Sequence, residues 1–419
     1  DGIRDYKVTG VQTCALPICV SFAYFTNAGS SLSEKHIPIK SEGNVKKQLL
    51  TTTALVAAGV LVTASTASAA QLKVGGYMEG IVGFSDDDRP FTAGGDPGTG
   101  FDVQQDSEVH FKSSTTLDNG LKIRTRLELE GFSNAPGATT NGDEIDEAYV
   151  AVSGKWGEVR IGSEDNAAHL MVTPTSGSWA TNVGQNLNFD VADWIAYPAG
   201  HKLDKTTRLE VGEGDAEKIT YFTPRVAGFQ AGISYMPSGD EDNQSLSTAT
   251  VDIVNGWAVG TNYRGKFSKV GVGLAAGYAE AQPAQSASTV LIKSDPKGWS
   301  ASGKVSFSGV TLAAGYLRTI NRDGTSTTDN GGTSLDLGAK YDFGKNHVSI
   351  GYVRNESEAD RAVVGEDESD RMQVSYRRDL GAGIQYRLNL SYADHQGENA
   401  GSADDNEGVA VHTSVRLSF

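Results

Sequence analysis

Lys122, Arg124 and Arg126 fall at every second position, and Glu128 and Glu130 continue the series. Leu121, Ile123, Thr125, Leu127 and Leu129 take the positions between. A period of two puts the charges on one face of an extended strand and the other side chains on the opposite face. Such a row can set an electrostatic field, but it supplies no nucleophile. Arg160 and Arg387 occupy polar positions in two further alternating segments. Covalent chemistry has little to work with. The seven histidines are scattered, His169 alone lies near a plausible site, and neither Gly-x-Ser-x-Gly nor His-Glu-x-x-His occurs. Both cysteines, Cys14 and Cys19, precede residue 70, so the chain beyond has no disulfide framework and no thiol chemistry. Asp86-Asp87-Asp88 and Asp404-Asp405-Asn406-Glu407 gather the carboxylate oxygens calcium prefers, without EF-hand spacing. Solvated acidic loops are the simpler expectation; Asp86, Asp87 and Asp88 are carried as calcium candidates, and no other cofactor is expected.

Elements of fixed direction must position these charges. Sixteen candidate strands span about 71–84, 104–116, 120–132, 143–153, 156–163, 217–223, 228–236, 252–267, 270–281, 298–308, 309–319, 333–343, 346–356, 369–379, 382–394 and 409–419. In the last of them Val409, Val411, Thr413, Val415, Leu417 and Phe419 share one face, and Ala410, His412, Ser414, Arg416 and Ser418 the other. The seventh sets Phe229, Ala231, Ile233 and Tyr235 against Gln230, Gly232 and Ser234. The twelfth and fifteenth alternate in the same way. Connections after even-numbered strands are short, as at Asp118-Asn119-Gly120, Ser268-Lys269, Ser308-Gly309 and Leu380-Gly381. Those after odd-numbered strands are long and rich in Gly, Asp, Asn and Ser. The connection at 164–216 is the longest, and a loop of that length is rarely idle in a compact domain.

Residues 45–69 read as a secretory signal: Lys46 and Lys47, an apolar run from Leu49 to Val62, then Ala67-Ser68-Ala69. The expected organisation is 1–44 as non-native upstream or adapter-derived sequence, 45–69 as signal peptide, and 70–419 as one β domain. Residues 1–69 hold six of the 36 Lys and Arg and four of the 52 Asp and Glu. Residues 70–419 therefore carry 30 against 48, a net of −18, which disfavours nucleic acid as a partner. No apolar run is long enough for a spanning helix, but strands exposing only alternate residues to lipid escape that test. Short turns at one end and long loops at the other, with aromatic residues near the strand ends, describe a sixteen-stranded antiparallel transmembrane β-barrel.

Local text sharpens this. Leu72-Lys73-Val74-Gly75-Gly76-Tyr77, Glu147 to Gly154 with Gly157 to Gly162, and Lys218 to Pro224 with Gly228-Phe229 and Ser234-Tyr235 resemble, in order and spacing, the general-diffusion porins of Gram-negative bacteria, with the alphaproteobacterial trimeric type nearest. The resemblance covers 70–419. It implies a channel in the bacterial outer membrane for small hydrophilic solutes and ions, a homotrimer in membrane lipid, and a third loop (164–216) folded into the lumen. It also implies a terminal aromatic, here Phe419, read by barrel-insertion machinery. In that family acidic loop residues face basic wall residues across the constriction. Here the acidic candidates are Glu164, Asp165, Asp190 and Asp193, and the basic ones Lys122, Arg124, Arg126, Arg160 and Arg387. The family's Pro-Glu-Phe-Gly-Gly loop tip is replaced by a stretch from Ser176 to Asn186. The acid excess suggests weak cation preference. A substrate-specific sugar or organic-acid channel would need an aromatic slide, for which Trp179 and Trp194 are the candidates. An outer-membrane enzyme and a secreted β-sandwich binding module are the remaining alternatives.

Overall fold

The computed structural model describes residues 70–88, 100–131, 145–172, 175, 177–185, 187, 191, 193–198, 201, 207–210, 214–239, 253–283, 295–320, 331–357, 366–397 and 405–419. The expected upstream segment, the signal at 45–69 and Asp190 lie outside them. The strands are β1 (Gln71–Asp87), β2 (Phe101–Thr116), β3 (Lys122–Glu130), β4 (Ile145–Gly154), β5 (Gly157–Ser163), β6 (Glu217–Phe222), β7 (Phe229–Ser238), β8 (Ile253–Phe267), β9 (Val270–Pro283), β10 (Lys297–Phe307), β11 (Val310–Ile320), β12 (Gly332–Phe343), β13 (Asn346–Ser357), β14 (Asp367–Gly381), β15 (Ile384–Gln396) and β16 (Asp405–Ser418). Each pairs antiparallel with its neighbours in sequence, and β16 returns to β1 to close the barrel. Phe419 completes the seam: its N–H donates to the Gly76 carbonyl and its carbonyl accepts from the Gly76 N–H, both at 3.1 Å. Closure leaves no unpaired edge, as a sheet in hydrocarbon requires.

The alternation dictates which side faces out. Leu72, Val74, Met78, Val82, Val259, Leu274, Leu312, Leu390 and Leu417 are exposed, while their polar alternates turn inward. Aromatic pairs gather at both ends of the outer face. Trp156–Tyr221, Phe229–Tyr263 and Tyr341–Phe343 lie near the short turns, and Tyr235–Trp257 and Trp299–Tyr316 near the long loops. These are the two girdles of a membrane barrel.

Several strands run further than the apolar pattern shows. β1 continues to Asp87, β14 begins at Asp367 and β16 at Asp405. Outward residues there are acidic (Asp86, Glu368, Glu407) because the hairpins have risen past hydrocarbon, so pairing outlives the hydrophobic signal. The β14–β15 turn also differs from the expected Leu380-Gly381. Positive φ falls at Gly381 (102°) and continues through Ala382 (50°) and Gly383 (78°), which make the turn itself, and the register shifts between Asp379 and Gly381. Two consecutive left-handed residues make the primed turn that matches strand twist.

Candidate functional site

A sixteen-stranded barrel is too wide for side chains to fill, so it leaves an aqueous lumen. What narrows it here is the connection between β5 and β6. Among its described residues are two short helices, α1 (Ala167–Val172) and α2 (Gly177–Thr181), which lie along the inner wall. α1 lies against β6–β10 and α2 against β10–β13. Further on, Leu187, Val191, Trp194 and Ile195 pack with Ile81, Val353, Ala393 and Ala410 of the wall. The returning arm brings Leu209 beside Ala168, Ala258, Ala279 and Leu317.

The wall is shaped to take this loop. A Cβ on Gly277 would stand 2.8 Å from the Ala168 Cβ, and one on Gly338 would stand 2.8 Å from the Gly177 carbonyl oxygen. Inward glycines thus form a groove for α1 and α2. Polar wall residues hold what lies in it. The Asp336 carboxylate, fully buried, accepts from the Ser178 hydroxyl (2.9 Å) and from the Ser178 backbone N–H. A carboxylate at a helix start satisfies amides that have no partner within the helix. Asn182 donates to the Gln373 side-chain oxygen (2.9 Å) and accepts from Ser375 (3.2 Å). The Val183 N–H donates to Ser349 (3.1 Å), and Asn406 donates to the Ala196 carbonyl (2.8 Å).

The basic candidates all point into the lumen, on the same parity as Lys122 in β3. Arg160 donates from Nε to Glu158 (2.7 Å) and from Nη1 to Glu164 (2.6 Å), with its guanidinium over the Tyr149 and Phe222 rings. Arg124 pairs with Glu158, and Arg126 with Glu128 and Glu147. Arg387 binds Glu79 at 3.0 Å, and Arg416 reaches the same oxygen at 3.4 Å. The acidic candidates stand differently from the expected arrangement. Glu164 and Asp165 are at the loop's root, and Glu164 bonds to Arg160 beside it rather than facing it across water. Burial drives the Glu164 carboxyl upward, against the pull of Arg160 and Lys218. Asp165 joins His169 (3.0 Å), which also contacts Glu210 on the returning arm. Burial is again the main cause lifting the Asp165 carboxyl. Asp193 is half-buried, and its carbonyl accepts from Gln104 (3.3 Å).

Below the loop a cavity of about 600 Å³ is lined by Tyr77, Glu79, Asp106, Glu108, His110, Trp179, Gln185, Arg377, Arg387 and Arg416, among others. Of the two candidate tryptophans, Trp179 lines this cavity, with Arg208 over its ring at 4.0 Å. Trp194 is buried, stacked on His412 at 5.0 Å. Sequence reasoning missed Asp336, Glu79 and His110. Their signal was present as inward parity, but parity does not say which residue meets the loop. Of the calcium candidates, Asp86 and Asp87 project to opposite faces of β1, and Asp88 follows the strand end.

A further cavity of about 300 Å³ lies nearer the short turns, lined by Lys73, Lys112, Lys122, Arg124 and Arg126 with Gln71, Ser113, Ser114, Thr125 and Tyr149. The facing wall contributes Arg264 and Lys266 of β8, Lys304 of β10 and Lys340 of β12, which share the inward parity through Arg264↔Gly273↔Lys304 and Thr311↔Lys340.

Comparison with known proteins agrees with this geometry. The profile of the Gram-negative porin family matches residues 51–400. The outer membrane porin protein 32 of Delftia acidovorans is 27% identical over 207 residues, 49% of this chain and 52% of that protein. A monosaccharide porin of a Halomonas species is 25% identical over 143 residues, 34% of this chain and 35% of that one. The matched segments thus span about a third to a half of those relatives. The anion-selective porin of Comamonas acidovorans superposes with a TM-score of 0.58 at 17% identity, covering 84% of this chain and 100% of that one, a likeness of fold. With a closed sixteen-stranded barrel, two aromatic girdles and a loop lodged inside, the chain belongs to the Gram-negative porins, a family of the bacterial outer membrane.

Proposed function

We infer that the chain is a passive diffusion channel for small hydrophilic solutes and ions, and that its lumen favours anions. The carrying observation is the basic ring near the short turns: Lys73, Lys112, Lys122 and Arg124 on β1–β3, with Arg264, Lys266, Lys304 and Lys340 on the opposite side of the barrel. Charged rings on a pore wall set its selectivity. The net charge of −18 argues for cations only if it faces the solute. Much of it does not: Glu356, Glu368, Asp370, Asp394 and Glu407 point outward at the loop-side rim. Inside the constriction Glu164, Asp165 and Asp193 act at the loop and Lys122, Arg124, Arg126, Arg160 and Arg387 on the wall. In this reading the Arg160–Glu164 pair, with Arg124, Arg126 and Arg387 held by the wall carboxylates Glu158, Glu128, Glu147 and Glu79, makes the eyelet polar and stiff rather than strongly charged. Purified protein in a planar bilayer under a potassium chloride gradient tests the preference; a reversal potential favouring potassium overturns it. Liposome swelling with sugars of graded size tests diffusion itself. Homotrimeric assembly and recognition of Phe419 during insertion rest on the family resemblance, and cross-linking of detergent-extracted protein tests the first.

A further inference from the structure

We propose that His110, Glu108 and Glu128 form a site inside the pore for a divalent transition-metal ion of the zinc type, and that its occupation lowers the current. The proposal rests on the channel reading above. Glu108 and His110 are i and i+2 on β2, so they share the lumen face, and Glu128 is the cross-strand partner of His110 on β3. His110 Nε2 stands 2.7 Å from Glu108 Oε2 and 3.2 Å from Glu128 Oε1. One donor atom from each of the three lies within 4.8 Å of the others. Tetrahedral zinc with bonds of about 2.0–2.1 Å holds its ligands about 3.3 Å apart, so small side-chain adjustments create the site. One imidazole nitrogen and two carboxylates suit zinc or nickel better than calcium or magnesium, which take oxygen only. Glu108 and His110 line the 600 Å³ cavity, so water from the lumen can take the remaining position.

The surroundings also name the competitor. The Tyr77 hydroxyl donates to the other oxygen of Glu108 (2.8 Å) and orients it. Arg126 donates from Nε to the same Glu128 oxygen, Oε1 (2.6 Å), so it must yield that oxygen to the ion, and it keeps a second carboxylate in Glu147. Lys112 Nζ stands 3.2 Å from His110 Nδ1 and 3.7 Å from Glu128 Oε1. Metal on Nε2 requires a proton on Nδ1, which would then meet the ammonium, so Lys112 must swing into the lumen. Its half-exposed side chain can do so. Lys112 therefore opposes the ion, and its removal should tighten binding.

The test is calorimetric titration of zinc chloride into the detergent-solubilised protein, with magnesium chloride as the control cation. Single-channel recordings with and without zinc run in parallel. Expected are one zinc site per chain that His110→Ala and Glu128→Gln abolish, and a site tightened about tenfold by Lys112→Met, the scale that groups just outside a ligand set carry. His169→Ala, directed at the other His–carboxylate group, should leave this zinc heat unchanged. Zinc should reduce current through the wild type and not through His110→Ala. Zinc heat that survives His110→Ala, or that disappears with His169→Ala instead, overturns the site. Binding that depends on His110 without any change in current overturns the claim on flow. A protein silent in the bilayer without zinc would defeat the channel reading instead, while the calorimetry still reports on the site.

Discussion

At the scale of single residues, two carboxylates at the loop, one buried and one half-buried, illustrate opposite roles. Asp336 is fully enclosed and accepts twice from Ser178, so deleting its carboxylate leaves a buried amide and hydroxyl unsatisfied. That loss costs about 1–3 kcal/mol. Asp336→Ala should therefore free α2 from β12, lower the thermal midpoint, and make single-channel current noisier. Asp336→Asn, which retains an acceptor oxygen, should recover most of the quiet trace. Asp215 is placed unfavourably. Burial, then Asp165, Asp146 and Glu210, push its carboxyl up to about 8, with Lys218 pulling the other way. An acid whose folded-state pKa lies above its unfolded value of about 3.9 holds its proton more tightly in the fold. Its stabilising contribution is complete below about pH 4 and lost as pH climbs toward 8. Thermal denaturation in detergent across that window should show a midpoint falling with pH, and Asp215→Asn should flatten the slope.

At the scale of elements, the two short helices of the long loop depend on the wall they lie against. They are one or two turns long, and isolated helices of that length do not hold themselves together. Their stability comes from the groove in the wall, which requires no side chain at Gly277 and Gly338. Gly277→Val should push α1 off β9 toward the lumen axis and reduce single-channel conductance, with the barrel still formed; an unchanged conductance would mean the loop accommodates the methyl groups elsewhere. This groove also marks the limit of what sequence reading reached. The parity of Lys122, Arg124 and Arg126, the lipid-facing series ending at Phe419, and the short turns were legible because membrane solvent imposes period two on every strand. Asp336 was visible as an inward residue of β12, but its meeting with Ser178 is a contact across 158 positions that no local pattern records. Glu164 was expected to face basic wall residues across the lumen. It pairs with one of them, Arg160, on the strand it has just left, because Glu164 directly follows Ser163 at the end of β5 and stands four residues from Arg160.

At the scale of the whole molecule, the distribution of charge matters more than its sum. Acidic side chains outside the barrel at the rim are in contact with bulk solvent or headgroups and are separated from the permeating ion by the wall. Cations inside the vestibule act over the few ångströms of water left in the lumen. At physiological salt the screening length is about 8 Å, so the inner ring dominates what a solute meets there. This ranking gives a sharp expectation. Converting Lys266, Lys304 and Lys340 together to glutamate adds negative charge to one side of the ring while leaving Gly277, Gly338 and every loop residue as they are. Reversal potential under a chloride gradient should move toward potassium, and the shift should shrink as ionic strength approaches 1 M, where screening shortens to about 3 Å. Converting Glu356 and Glu368 at the outer rim to lysine changes the net charge by four units in the opposite sense, against six for the triple change. It should leave the reversal potential almost where it was, and a shift as large as that from the inner triple change would show that selectivity follows total charge and not its placement.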